Sequence, residues 1–276
     1  MRLTRHPIAA PLRPYVDSIW VFESGEGVPA SSSRVVAPNG KPKLVLSFRN
    51  ALDVRHARGF QEGREGRLHV IGVWDEASTI SSAARSTGTI GIEFHPEGLA
   101  RFAGFALHEI ANRVLDSDTV FGNEGRDLEE ALLRIPSVGG KVARLQEFLV
   151  RRLDLVRPVH PALDHALKRL RETHGSVGIR DLERETGFSA RWLDRLFREH
   201  VGHSPKTLAA ICRFQRYYAA WALDPSPRVF REDLLDLYYD QSHFSREFKR
   251  FTGSAPGRYA RSDNEFGRIF YQNRGP

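Results

Sequence analysis

Two short stretches of the chain carry the side chains best suited to chemistry. The first presents Arg191, Asp194, Arg195 and Arg198; the second presents Gln241, Ser242, Ser245, Arg246 and Lys249. These are long or polar groups. Guanidinium and ammonium groups pair with phosphates, and Arg, Gln and Ser also reach base edges as hydrogen-bonding partners. The chemistry they suit is recognition of a polyanionic duplex, not the making or breaking of bonds.

Both stretches belong to one repeated unit. Phe188–Pro205, FSARWLDRLFREHVGHSP, returns as Tyr239–Pro256, YDQSHFSREFKRFTGSAP, shifted by 51 positions without a gap. Ser189 and Asp240 are N-cap residues, whose side-chain oxygens accept from an otherwise unpaired backbone N–H. Leu193, Leu196 and Phe197 make an apolar helix stripe, as do Phe244, Phe248 and Phe251 in the second copy. Gly202 and Gly253 suit the left-handed position that closes a helix. Pro205 and Pro256 suit the first turn of the next helix.

A short helix over Ile179–Thr186, with Ile179 and Leu182 inward and a stop at Gly187, precedes the first copy. Helix, glycine turn and second helix form the helix-turn-helix pattern. Arg231–Tyr239, with Leu234, Leu235, Leu237 and Tyr238 apolar, precedes the second copy. Between the units Pro205–Leu223 reads as one helix of 19 residues, about 28 Å long. Two readers on one duplex face stand roughly 34 Å apart, so a rigid spacer of this length is suitable.

Residues from about 160 to 261 resemble the DNA-binding domain of the AraC/XylS family of bacterial transcription regulators. The resemblance is carried by GFSARWLDRLFREHVGHSPKTL, ICRFQRYYAAWAL and YYDQSHFSREFKRFTGSAPGRYAR. It implies two helix-turn-helix units reading successive major grooves of double-stranded DNA. The base-facing positions it implies are Arg191, Asp194 and Arg195, then Gln241, Ser242, Ser245 and Arg246. It further implies activation through contact with RNA polymerase, with repression left open. The chain departs from the family pattern at Glu183 and Asp233, where a small residue is usual, and at Leu237, where a turn glycine is usual.

The chain has 276 residues, 41% hydrophobic and 27% charged, with room for about two domains. Of a net charge of +7, the excess lies mainly from Pro158 onward, which suits a polyanionic partner. The single cysteine, Cys212, excludes an intramolecular disulfide and a Cys-cluster zinc site. It reads as a structural thiol inside the spacer helix. No signal segment and no long apolar run stand out, so a soluble, cytoplasmic protein with no membrane partner is expected.

The first half reads as strands at Ser18–Phe22, Lys43–Phe48, Leu68–Trp74 and Thr87–Phe94, with loops at 25–33 and 53–66. Helices are expected at Pro96–Phe105, Asp127–Ile135 and Val142–Leu155, with a loop at 117–125. The last helix would pack on the strands or pair with its mate in a homodimer. Arg157-Pro-Val-His-Pro161 is the linker, followed by a supporting helix over Ala162–His174. The tail holds Phe266, Ile269, Phe270 and Tyr271, docked or frayed. The expected class is therefore α+β with two domains. Residues 1–157 form a sensing or dimerising domain, β-rich and barrel- or sandwich-like to residue 95 and helical after it. Residues 158–276 form an all-α domain with two helix-turn-helix units joined by a long helix.

His56, His69, His95 and His108 show no metal-pair spacing, and no phosphate-binding or nucleophile-elbow loop is present. No catalytic residue, metal or cofactor is expected. RVVAPNGKPK (34–43), with its Asn-Gly turn, and GIEFHPEGLARFAGF (91–105) resemble segments in N-terminal domains of AraC-like regulators. They imply a sensing or dimerising domain of unknown ligand. Trp20, Phe48, Trp74 and Phe94 are candidates to line a pocket for a small-molecule effector, or are ordinary core. The alternative function is an enzyme or DNA-repair protein carrying an AraC-like DNA-binding domain. Repair by alkyl transfer needs an accessible activated thiolate, and Cys212 lies in the wrong domain for it.

Overall fold

The computed structural model describes residues 1–28, 35–57, 59–82, 86–153, 158–223, 238, 240–261 and 265–272. Its N-terminal part is β-rich and its C-terminal part helical.

Ten strands are described: β1 (Arg2–His6), β2 (Val16–Ser24), β3 (Val35–Val36), β4 (Lys43–Arg49), β5 (Asp53–His56), β6 (Gly59–Gln61), β7 (Leu68–Ile71), β8 (Ser78–Ser81), β9 (Thr87–Phe94) and β10 (Val114–Asp116). They form two antiparallel sheets, ordered β1-β2-β9-β4-β7-β10 and β3-β8-β5-β6. The pair is an open sandwich, not a closed barrel. β2 and β9 are neighbouring interior strands of the larger sheet and are covered on both faces. That is why they read as almost continuous apolar or small-residue runs without clean alternation.

Alternation still decides which way each side chain points. Ile19, Val21, Leu44, Leu46, Ile90 and Ile92 share one face and one core with the helices α1 (Ser117–Phe121), α2 (Asn123–Arg134) and α3 (Val138–Arg151). Leu128, Leu132, Val142, Leu145, Phe148 and Leu149 are the helical half of that core. The last helix of this part thus packs on the strands.

Several expectations need correction. The segment 53–66 is not a loop throughout but carries the hairpin β5–β6. Charged, partly exposed edge strands lack the apolar alternation that marks a strand, which is a normal property of edges. β1 was hidden by its charges, of which Arg2 pairs with Glu23 of β2 at 2.7 Å. Pro96–Phe105 is not a helix; it holds a single 3-10 turn at Leu99–Arg101, with a second at Leu107–Ile110. Gly98 and Gly104 weaken helix propagation there. The segment 117–125 is helical, as α1 and the start of α2, broken at Gly122. β7 ends at Ile71, short of the expected Trp74, and Gly72 N–H still donates to the carbonyl of Arg113 at 3.1 Å, in register with β10.

The C-terminal part comprises α4 (Pro161–Glu172), α5 (Ile179–Thr186), α6 (Ala190–His200), α7 (Pro205–Leu223), α8 (Gln241–Thr252), α9 (Pro256–Tyr259) and α10 (Glu265–Gln272). Helix α7 serves two cores. Leu208 and Ala209 join α4, α5 and α6 in one. Phe214, Tyr217, Tyr218 and Trp221 join α8, α9 and α10 in the other. A helix buried on nearly all sides is rigid by packing, as a spacer must be. The expected boundary at 157/158 borders residues outside the described set. The helix expected over Arg231–Tyr239, Tyr238 excepted, the departures Asp233 and Leu237, and the side chain of Phe266 lie outside the described residues.

Candidate nucleic-acid interface and the cavity behind it

Helix α6 begins where Ser189 accepts from Trp192 N–H at 3.3 Å. Glu183 of α5 accepts from Ala190 N–H at the same helix start. The departure at Glu183 is therefore a second cap, which holds the two helices of the unit together. Gly187 closes α5 at φ 75°. Leu193, Leu196 and Phe197 face the core. This leaves Arg191, Arg195 and Arg198 exposed, with Asp194 half-buried between them. Asp194 holds Arg198 at 2.7 Å. Among the described residues Arg191 and Arg195 have no ion pair.

Helix α8 repeats the construction. Asp240 accepts from His243 N–H at 2.6 Å, Phe244, Phe248 and Phe251 are buried, and Gly253 ends the helix at φ 74°. Gln241, Ser242, Arg246 and Lys249 are exposed and Ser245 is half-buried. Among the described residues none of these five side chains has a hydrogen bond or ion pair. Tyr238 packs its ring 5.1 Å from Phe244. The two polar faces occupy corresponding positions of the repeat, since 191, 194, 195 and 198 advance by 51 to 242, 245, 246 and 249.

The outward face of α6 does not look into open solvent alone. Arg191, Asp194, Arg195 and Arg198 form one wall of a cleft of about 340 Å³, and Ala106 and His108 form part of the other. The N-terminal domain therefore stands in front of the first candidate reading helix. The contact is anchored beside it. His203 donates to the carbonyl of Val73 at 2.9 Å, with burial pushing its imidazole below the usual range. Arg250 pairs with Asp75, which Asn112 also holds at 2.7 Å. Burial raises the Asp75 carboxyl, but His203, Asn112 and Arg250 outweigh it and keep it below the usual range.

The Asn-Gly turn is part of the same seam. Gly40, at φ 71°, lies against Leu208 and Ile211 of α7, and Gln215 donates to the carbonyl of Pro38 at 2.6 Å. Sequence patterns did not single out His203, Asp75, Asn112 or Gln215. Each is a lone polar residue whose partner lies far along the chain.

The second face of the larger sheet, opposite the helices, meets the smaller sheet around a cavity of about 150 Å³. Trp20 and Trp74 line it. Phe94 and Phe48 do not: Phe94 is buried in the core beside the helices, and Phe48 packs against that core. Tyr218 of α7 and Phe270 and Tyr271 of α10 complete the wall, so the cavity belongs to both domains. The tail is docked, with Tyr271 donating to Gln215 at 2.7 Å and Arg5 donating to the carbonyl of Phe270 at 3.2 Å.

The remaining candidates are quickly placed. Cys212 is partly buried, and burial pushes its thiol up to about 11, far from an activated thiolate. His69 lies 3.1 Å from Asp116, and burial pushes it down. Among the described residues no group of His, Cys, Asp and Glu could hold a metal ion. No described helix is long and apolar enough to cross a membrane.

Two family models match the chain. Residues 4–116 match a domain of unknown function, DUF6597, and residues 182–262 match a helix-turn-helix domain. No curated protein matches. Among solved structures, ToxT from Vibrio cholerae O395 is 11% identical, covering 88% of this chain and 96% of that one with a TM-score of 0.45. The same protein bound to (E)-4-(8-methylnaphthalen-1-yl)but-3-enoic acid is 9% identical, covering 87% and 98% with a TM-score of 0.48. The AraC-like transcriptional activator CuxR is 21% identical, covering 75% of each chain with a TM-score of 0.28.

Proposed function

We propose that the chain is a DNA-binding transcription regulator of the AraC type that reads DNA with two helices and answers to a small-molecule effector; the match of residues 182–262 to a helix-turn-helix domain supports the reading. The observation that carries the reading is the pair α6 and α8. Both are capped, both bury one apolar stripe, and both present polar side chains at the same positions of a repeat. The 19-residue helix α7 lies between them, with a length of about 28 Å against a groove repeat of roughly 34 Å. Arg191, Asp194, Arg195, Gln241, Ser242, Ser245 and Arg246 are the proposed base readers. Arg198 and Lys249 are the proposed phosphate contacts.

Effector response is proposed on two features of the seam. The N-terminal domain faces the reading surface of α6 across the cleft at Ala106 and His108, where a DNA backbone would have to pass. The cavity wall is shared by the two sheets and by α7 and α10. A ligand there touches both domains, and a difference in its affinity for the seamed and separated arrangements shifts their populations. Activation through RNA polymerase and pairing with a second copy are further parts of the proposal.

Selection of DNA from a random pool by the full chain, followed by footprinting at two salt concentrations, tests the reading. Two short conserved blocks about one helical turn apart are expected, with affinity falling steeply with salt. A single block would remove α8 as a reader, and no enrichment by the full chain or by residues 158–276 would overturn the reading.

A further inference from the structure

We propose that the cavity between the two sheets is the effector site and takes a small, uncharged ring compound carrying an oxygen acceptor, of the phenol or aryl-ketone class. The proposal rests on the effector-responsive reading above and gives that effector a chemistry.

Size comes first. A cavity of about 150 Å³ has room for about one aromatic ring when its walls are apolar. Its shape is built for a flat guest. The Trp20 ring lies across its neighbour strand because residue 91 is glycine; a Cβ there would sit 2.1 Å from the indole. Phe270 meets that indole edge-on, with centroids 5.2 Å apart and planes at 80°. Trp74, Ile71, Val45 and Ile80 supply further apolar wall.

Polarity comes second. Three wall residues carry buried polar atoms with no hydrogen-bond partner among the described residues, Trp20 Nε1, Thr89 Oγ1 and His69 Nδ1, of which only the last has a carboxylate beside it, Asp116 at 3.1 Å. The indole can only donate, and the hydroxyl can donate or accept. A buried donor left unmet is costly, and a ligand oxygen meets it.

Charge comes third. Lys43 and Glu93 stand opposite each other on β4 and β9, 3.7 Å apart. Asn39 binds both, donating to Glu93 at 2.8 Å and accepting from Lys43 at 3.1 Å. Ser18 donates to the other Glu93 oxygen at 3.1 Å. These two charges are matched and hydrogen-bonded within the protein, and the further charged wall residue, Glu62, is exposed to solvent. An anionic ligand would have to displace Glu93 from Lys43, and a cationic one would have to displace Lys43 from Glu93, each leaving a buried charge uncompensated. His69 faces the same cavity beside Asp116 and is held towards its neutral form by burial.

The test is calorimetric titration of the full chain with four probes: acetophenone, phenol, benzoate and benzylamine. Saturable binding of acetophenone or phenol is expected, with benzoate and benzylamine at least about tenfold weaker. Trp20→Phe keeps the ring and removes the donor, and is expected to weaken acetophenone by about fivefold. Thr89→Val is expected to weaken phenol in the same range, with both variants checked for native circular dichroism. No saturable binding of either neutral probe at millimolar concentration would overturn the site. Tighter binding of benzoate or benzylamine would overturn the uncharged class. Undiminished acetophenone binding by Trp20→Phe would overturn the indole contact. DNA affinity measured with and without saturating acetophenone keeps the two readings apart. Bound probe with unchanged DNA affinity overturns the effector role alone, whereas absent probe binding with normal DNA binding overturns the site alone.

Discussion

Arg213 of α7 and Glu247 of α8 meet at 3.1 Å with both side chains largely buried. The same guanidinium donates to the carbonyl of Gly175 at 2.7 Å. Gly175 follows α4 at φ 78°, and a Cβ there would sit 2.1 Å from the carbonyl of Ala209 in α7. One residue of the spacer thus ties the base of the first unit to α8, the proposed reading helix of the second. Removing one partner of a buried ion pair strands the other. Arg213→Ala is expected to lower unfolding free energy by about 3 kcal/mol in denaturant melts. It is also expected to weaken binding to a two-block site more than to a single block.

Arg195→Ala and Arg246→Ala are expected to weaken specific DNA binding by about 1–3 kcal/mol each and to relax preference at one base pair of the site. A uniform loss on all sequences, with a shallower salt slope, would reassign that arginine to phosphate. Fluorescence anisotropy with the selected site and single-base variants separates the two outcomes.

Asp75→Asn removes the charge that Arg250 and His203 face across the seam. Loosening that contact frees the face of α6 now turned to Ala106 and His108. DNA affinity is expected to rise, by about fivefold if the coupling is of ordinary size. Equal affinities for the variant and the parent chain would mean that the seam does not gate the reader.

Acid is expected to loosen the same seam. Burial lowers the folded-state pKa of His203, so on acidification the unfolded chain takes up the proton first. Stability is full above the ordinary imidazole value of about 6.5 and falls as pH drops from there towards the folded value. His69 and His200 are lowered by burial in the same sense. Thermal midpoints should fall between pH 7.5 and pH 5.5, and His203→Gln should flatten part of that slope. An unchanged slope in the variant would remove His203 from the effect.

The C-terminal domain was legible in the sequence because its determinants are local. Caps at Ser189 and Asp240, stripes such as Leu193–Leu196–Phe197, glycine stops and proline starts each act within one or two helical turns. The bounds of α5 and α7 agree with the reading to the residue. Part of the pocket question was also local: Phe94 shares its sheet face with Ile90 and Ile92, and parity along β9 separates it from Glu93 and the cavity.

What the sequence by itself determined is the repeat, the helices that carry it, the polar faces they expose and a strand-rich first half. Only the tertiary structure decided which face of the larger sheet lines a cavity and which edge strands close it. It also brought the docked tail to the cavity wall and turned α6 towards Ala106 and His108. Those outcomes rest on pairs such as His203 with Val73, Arg250 with Asp75 and Trp20 with Phe270, separated by 130, 175 and 250 positions. A contact of that range leaves no periodic trace in either partner, because neither residue type alone says what it will meet and each acquires its meaning only when packing brings the other within a few ångströms.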